Sequence, residues 1–274
     1  MELRLTDQDV IETITNYNQL RIGFWSSSVI VASYLLAVLK IAPSYMKSRP
    51  AFHLKTFIVF YNIFQIITCA YLIFKSFTIN LPVTHFWKCV VVTPGSTEDK
   101  DYHHVAFVLF CLKVSEFTET LVFVLRKKYR QVSFLHVFHH CSTVFMAYHM
   151  NHSYSNSAAF FPLYINSFVH LIMYTYYLMA ATLPSEVIKK LIPLKKSITI
   201  IQMVQFTIVL AQVVIALCLG CKFPNGLLAL YCFMIMVIFY EFYNFYQKSY
   251  IKKQAEKSKI EEDKLNNNYS IKSQ

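Results

Sequence analysis

His136, His139 and His140 form the pattern His-x-x-His-His. On a helix, positions i, i+3 and i+4 lie on one face, so the three imidazoles project together. Two chemistries use such a face. Convergent imidazoles can ligate a metal ion. Alternatively, imidazole titrates near neutrality and can be acylated transiently, so the same residues can serve as nucleophile and general acid–base. Other reactive side chains follow helical spacing nearby. Lys113-x-x-Glu116 continues to Glu119-Thr120, with Lys113, Glu116 and Thr120 on one face; Asn166, His170, Met173, Tyr174 and Tyr177 share another; and Thr199, Gln202 and Gln205 recur every third residue.

These groups must be positioned by membrane-spanning helices. Of 274 residues, 55% are hydrophobic and only 15% charged, with 24 Phe and 19 Tyr; soluble chains carry roughly 25% charged residues. Four glycines exclude the Gly-rich loops that cradle dinucleotides and phosphates. Apolar runs long enough to cross a bilayer fall at Gly23–Leu39, Thr56–Phe74, Val105–Leu125, Val132–Met150, Ala158–Ala181, Ile198–Leu219 and Leu227–Tyr246. They lack the period-two alternation of barrel strands. The expectation is an all-α integral membrane fold of seven transmembrane helices over residues 23–247, with a polar segment 1–22 before it and a mixed-charge tail 248–274 after it. Residues 1–22 carry no short apolar core with a small-residue cleavage site, so the first span is expected to act as an uncleaved signal.

Lys and Arg orient this bundle. The net charge of +11 comes mostly from alternate connections: Lys40 to Lys55, Arg126 to Arg130, Lys189 to Lys196, and the tail. Basic connections mark the cytosolic side, which places the N-terminus in the lumen and the C-terminus in the cytosol. The basic balance thus reads as an orientation signal, with the bilayer and not nucleic acid as the partner. Counting 1.5 Å per residue from the cytosolic ends puts Glu119 about 10 Å deep, Glu116 about 15 Å, Lys113 and His170 about 20 Å, and the three histidines about 7–14 Å. Gln202, Gln205, Asn62 and Asn244 share that band, and the lumenal halves are more apolar. One isolated amide in a span is ordinarily interhelical glue. Four histidines, two carboxylates and a lysine at one depth instead imply a polar chamber open to the cytosol.

The motifs carry a resemblance. In order and spacing, Lys113-x-x-Glu116-Phe117-x-Glu119-Thr120, His136-x-x-His139-His140, Asn166-x-x-x-His170-x-x-Met173-Tyr174-x-Tyr176-Tyr177 and Thr199-x-x-Gln202-x-x-Gln205-Phe206 closely resemble the ELO family of very-long-chain fatty acid elongases, over about residues 25–250. Departures are Glu119, where the family usually has Asp, Ser153–Ser157 in place of a Gly-rich stretch, and Glu241, which has no functional account. The resemblance implies a seven-helix endoplasmic reticulum enzyme that condenses a long-chain acyl-CoA with malonyl-CoA to 3-oxoacyl-CoA, CO2 and CoA. No cofactor or metal is expected. By this resemblance His139 is the nucleophile, with His136, His140 and His170 orienting malonyl or stabilising its enolate. Glu116 and Glu119 would fix imidazole tautomers or balance Lys113, with a structural ion pair as the alternative. Asn166, Tyr174, Tyr177, Gln202 and Gln205 would support the site. Arg126, Lys127, Lys128, Lys195 and Lys196 at the cytosolic mouth would attract CoA phosphates, or else serve orientation alone. The apolar lumenal half would hold the acyl chain in a closed tunnel.

Two cysteines fall in lumenal connections, where disulfides are permitted, and a Cys89–Cys221 bridge is expected as in the family. Asn151-His152-Ser153 is a lumenal glycosylation sequon in a short loop. The enzymes completing the elongation cycle, two reductases and a dehydratase, are implied partners, and a homodimer is left as an expectation. An iron-dependent membrane desaturase is the competing enzyme. Such boxes need about eight histidines, whereas here His103–His104 and His152 fall in loops, His149 at a span end, His85 alone and His53 at an edge. A seven-helix receptor competes less well, because its polar pocket would face outward.

Overall fold

A computed structural model describes residues 23–79, 92–93, 95–152, 158, 160–221, 225–252 and 254. Among these residues the chain forms seven helical rods and all regular structure is helical. Helix α1 (Phe24–Leu36) passes through a π-helical stretch, Ala37–Ile41, into α2 (Ala42–Met46). Pro43 explains the bulge: it has no N–H for the carbonyl four residues back, and the preceding turn widens to accommodate its ring. Helix α3 spans Lys55–Thr78 and buries Asn62, Gln65, Cys69, Leu72 and Ser76, a stripe spaced by threes and fours.

The third rod is broken. Helix α4 (Thr97–Ser115) starts at Ser96, whose hydroxyl accepts from the Asp99 N–H at 3.2 Å, with Glu98 and Asp99 favourably placed against the helix dipole. It ends at Ser115, and α5 (Phe117–Leu125) resumes after Glu116. No Gly or Pro marks this break. Ser115 Oγ donates to the Leu112 carbonyl at 2.6 Å, a back-bond that bends helices, and Glu116 pivots between the halves. The rod begins eight residues before the apolar run Val105–Leu125 and takes in His103 and His104, which were expected in a loop and are helical.

Helix α6 (Phe134–His152) begins at Ser133, which accepts from the His136 N–H at 3.3 Å. It runs through Asn151 and His152, so these too are helical, and Asn151 is fully buried, while Ser153 of the sequon lies outside the described residues. Helix α7 is Phe160–Thr182, the short α8 is Ser185–Lys190, α9 is Ile192–Cys218, and α10 is Asn225–Tyr246, prolonged by a π-helical turn Gln247–Lys252. Helix α3 packs along α7, α4 along α6, and α9 against both α7 and α10, while α10 and α1 touch α6.

Four rods are long and apolar enough to cross a membrane: Phe24–Met46, Lys55–Thr78, Ile192–Cys218 and Gly226–Lys252. Their outward faces carry exposed Trp25, Phe60, Ile67, Val214 and Met236, while Gln65, Lys113, Glu116 and Thr120 are buried inside. This inverted distribution belongs to a multi-pass membrane protein. The expected N-terminal segment 1–22, and the tail beyond Lys252 apart from Gln254, lie outside the described residues.

Candidate active site

The break at Glu116 and the start of α6 bring the reactive residues together at one end of the bundle. Lys113 Nζ donates to Glu116 Oε1 at 2.8 Å, with both side chains buried. The same Oε1 lies 3.2 Å from Nδ1 of His170 on α7, and Oε2 lies 3.7 Å from Nδ1 of His140 on α6. Glu116 is thus the hub between one cation and two imidazoles. A carboxylate with no exposed surface must have such partners, since an unpaired buried charge costs several kcal/mol.

Glu119 is a second hub, one turn away on α5. Its Oε1 accepts from Tyr174 at 2.5 Å and from Tyr61 at 3.2 Å, and its Oε2 lies 3.9 Å from His140 Nε2. Tyr61 is itself held by Gln65, whose amide donates to Tyr61 OH at 2.6 Å and to Ser115 Oγ at 3.0 Å. On the opposite side a relay runs from Tyr34 OH to Thr120 Oγ1 at 2.8 Å and from Thr120 Oγ1 to His136 Nε2 at 2.9 Å. The Tyr34 ring stacks on Phe117 at 3.8 Å, which fixes its hydroxyl.

The imidazoles are mutual neighbours. His136 and His140 have ring centroids 4.3 Å apart, His139 and His140 5.4 Å, and His139 and His170 are stacked at 6.4 Å. Beside them lies a cavity of about 490 Å³. Of the four site histidines, His139 alone lines it, together with Lys113, Asn166 and Gln205 at one pole. Its walls are otherwise mostly apolar, from Leu109, Met146, Phe206 and Val209 to Ala216, Leu227 and Ile235, and it reaches His149 and, thirteen residues along α6 from His139 and about 20 Å away, His152. Gln205 is buried and contributes to the lining of this space.

The remaining expected residues are distributed unevenly. Tyr177 is 41% exposed and packs against the rings of Tyr174 and Tyr176. Gln202 reaches Met173 Sδ at 3.5 Å instead of an imidazole. Asn62 donates to its own helix at Ile58 O, away from the imidazoles, and Asn244 is half-buried near the end of α10. Arg126, Lys127, Lys128 and Lys195 are at the surface of the same end, and Lys196 lies over the Tyr246 ring at 5.7 Å. Cys221 is disulfide-bonded; Cys89, and with it the expected pairing, lies outside the described residues.

The model of the GNS1/SUR4 family, ELO, matches residues 20–258. The chain belongs to the ELO family. It is 34% identical over 241 residues to very long chain fatty acid elongase F of Drosophila simulans, covering 86% of this chain and 91% of the relative. It is 30% identical to elongase 2 of Mus musculus, covering 88% and 81%, and 31% identical to elongase 4 of Homo sapiens, covering 88% and 76%. Within this ELO chain, Tyr34, Tyr61, Gln65 and Ser115 are hydrogen-bonded members of the buried polar cluster that motif reading missed. Gln65 left a signal: it is an amide inside an apolar run, three residues after Asn62. Tyr34 and Tyr61 left none, because a tyrosine in a span is as often packing as function.

Proposed function

We propose that this ELO protein condenses a long-chain acyl-CoA with malonyl-CoA, giving 3-oxoacyl-CoA, CO2 and CoA. The observation that carries the reading is His139, placed where the polar cluster opens into a long apolar cavity. The acyl chain lies in the cavity, with its thioester carbon at His139. The unprotonated ring nitrogen attacks that carbon, the C–S bond breaks, and the imidazole N–H proton leaves with the CoA thiolate as thiol. The acyl-imidazole is an activated ester equivalent that divides one condensation into two easier steps. Malonyl-CoA then loses CO2, and the electron pair of the broken C–C bond becomes its enolate. The enolate carbon attacks the acyl carbon, the C–N bond breaks, and the imidazole regains a proton from solvent.

Asn166 and Gln205 present amide donors at the same pole and suit the oxyanion of each step. His136, His140 and His170 orient malonyl or its enolate, with tautomers set by Thr120 and Glu116. Arg126, Lys127, Lys128, Lys195 and Lys196 draw in CoA phosphates from the cytosol. The seven rods cross the endoplasmic reticulum membrane with the N-terminus lumenal, residues 23–247 forming the enzyme, and Cys89 pairs with Cys221. The 3-oxo product requires reduction, dehydration and a second reduction, so enzymes of those classes act next. No resident cofactor takes part.

The test is to supply radiolabelled malonyl-CoA and a panel of acyl-CoAs to membranes containing the chain. Wild-type protein incorporates label into chains two carbons longer. His139→Ala inserts normally and incorporates none; wild-type incorporation by that variant removes the nucleophile assignment.

A further inference from the structure

Glu119, His136 and His140 each offer a ligand atom, and the three atoms lie within 4.8 Å of one another. We propose that they form a reversible inhibitory site for a divalent transition-metal cation of the Zn2+ class. The inhibitory part rests on the condensing role given above to these histidines, whereas the binding part does not.

Two features separate this trio from histidines that are merely close. The first is composition: two imidazoles and one carboxylate, with a fourth position open, is a common Zn2+ donor set, with bonds of about 2.0–2.2 Å. Drawing the three atoms onto one ion requires a contraction of about 1 Å. They come from two helices, α5 and α6, with His136 and His140 one turn apart on the same face.

The second is the outer shell. A ligating histidine keeps its other ring nitrogen on a carboxylate, carbonyl or hydroxyl, which fixes the tautomer. Here Thr120 bonds His136 through Nε2 at 2.9 Å. His140 shows Nε2 to Glu119 Oε2 at 3.9 Å and Nδ1 to Glu116 Oε2 at 3.7 Å. Buried Nδ1 of His140 and Oε2 of Glu116 have no hydrogen-bond partner, and a small shift of His140 would join them as a carboxylate–histidine pair behind the ion. Glu119 Oε1 is already occupied by Tyr174 and Tyr61, so Oε2 is the oxygen available to a cation. His139, the nucleophile, is not among the three. The ion would engage the two imidazoles that orient malonyl and leave the acyl cavity open, so inhibition falls on condensation and not on acyl entry.

The experiment uses the full chain purified in detergent and stripped of metal. It is titrated with Co2+, read by its ligand-field absorption, and competed with Zn2+. One equivalent is expected, with intensity indicating four-coordination. Glu119→Gln and His136→Asn are expected to weaken it at least tenfold, and Thr120→Val, which alters only the outer shell, by about 10–100-fold. Thermal unfolding of each variant checks folding, and Glu119→Asp supplies a conservative carboxylate that restores binding in part. In parallel, Zn2+ suppresses malonyl incorporation and EDTA restores it. Absence of Co2+ binding, or binding unchanged in Glu119→Gln, overturns the site. Full activity in the Zn2+-bound protein, or activity that requires Zn2+, overturns its inhibitory role. Metal-free protein that binds Co2+ yet elongates nothing would sink the condensing reading while leaving the site intact.

Discussion

At the scale of single residues, the site is built around two carboxylates with different partners. Glu116 answers Lys113, His140 and His170, whereas Glu119 answers two tyrosine hydroxyls and faces His140. Hydrogen bonds to a carboxylate contribute roughly 1.5–3 kcal/mol each. Tyr174→Phe, which deletes the shorter of the two bonds to Glu119 Oε1, should lower stability by about that amount in thermal unfolding of the detergent-solubilised protein. Tyr61→Phe should cost less, and the double variant should depart from the sum because the hydroxyls share one oxygen. Unchanged unfolding in Tyr174→Phe would show that Glu119 is held by something else. The histidines, carboxylates and Lys113 were legible in sequence because an ionisable group in an apolar run stands out. Tyr61 and Tyr34 were not, because their hydroxyls acquire meaning only once α3 and α1 lie beside α5.

At the scale of elements, helix ends and breaks place these groups. The turn after α5 closes as a Schellman motif, with the Lys128 N–H on the Phe123 carbonyl at 2.8 Å and the Lys127 N–H on Val124 at 2.9 Å. It requires a left-handed residue, and Lys127 takes that role at φ 55°. The same motif ends α9, where Gly220 supplies φ 77° without a Cβ, Gly220 N bonds Leu217 O and Cys221 N bonds Ala216 O. A non-glycine residue in this conformation costs about 1–2 kcal/mol, so Lys127→Gly should raise thermal stability. If the Lys127 charge serves CoA, the same variant raises the KM for malonyl-CoA and steepens no salt dependence; an unchanged KM would assign that lysine to orientation alone. The Glu116 break shows the limit of periodicity. Lys113, Glu116 and Thr120, expected on one helical face, are all buried, but the kink comes from Ser115 bonding back to Leu112, which hydrophobic spacing does not record.

At the scale of the molecule, the cavity joins the polar end to the far end of the bundle. Ala216 lines it about eleven residues beyond Gln205, or about 16 Å along α9. Ala216→Phe should fill that depth, shift the accepted primers toward shorter acyl-CoAs in a chain-length profile, and cost about 1–3 kcal/mol from overpacking. A profile identical to wild type would place the chain elsewhere. Orientation is tested separately: a glycosylation sequon added within residues 1–22 should be modified in microsomes, and one added near Gln274 should not, with the reverse pattern inverting the topology.

Sequence alone determined what must be buried together. Apolar runs fix helices, basic connections bias their orientation, and ionisable residues inside those runs have to find one another because lipid offers them nothing. Only the tertiary structure decided which partner each one takes. Glu116 and Glu119 are three residues apart and chemically alike, yet a helix break turns one toward a lysine and the other toward two tyrosines. His139 is distinguished from its neighbours by a cavity whose walls come from α4, α6, α7, α9 and α10. Such differences depend on distances between helices remote in sequence, and spacing along one chain carries no record of them.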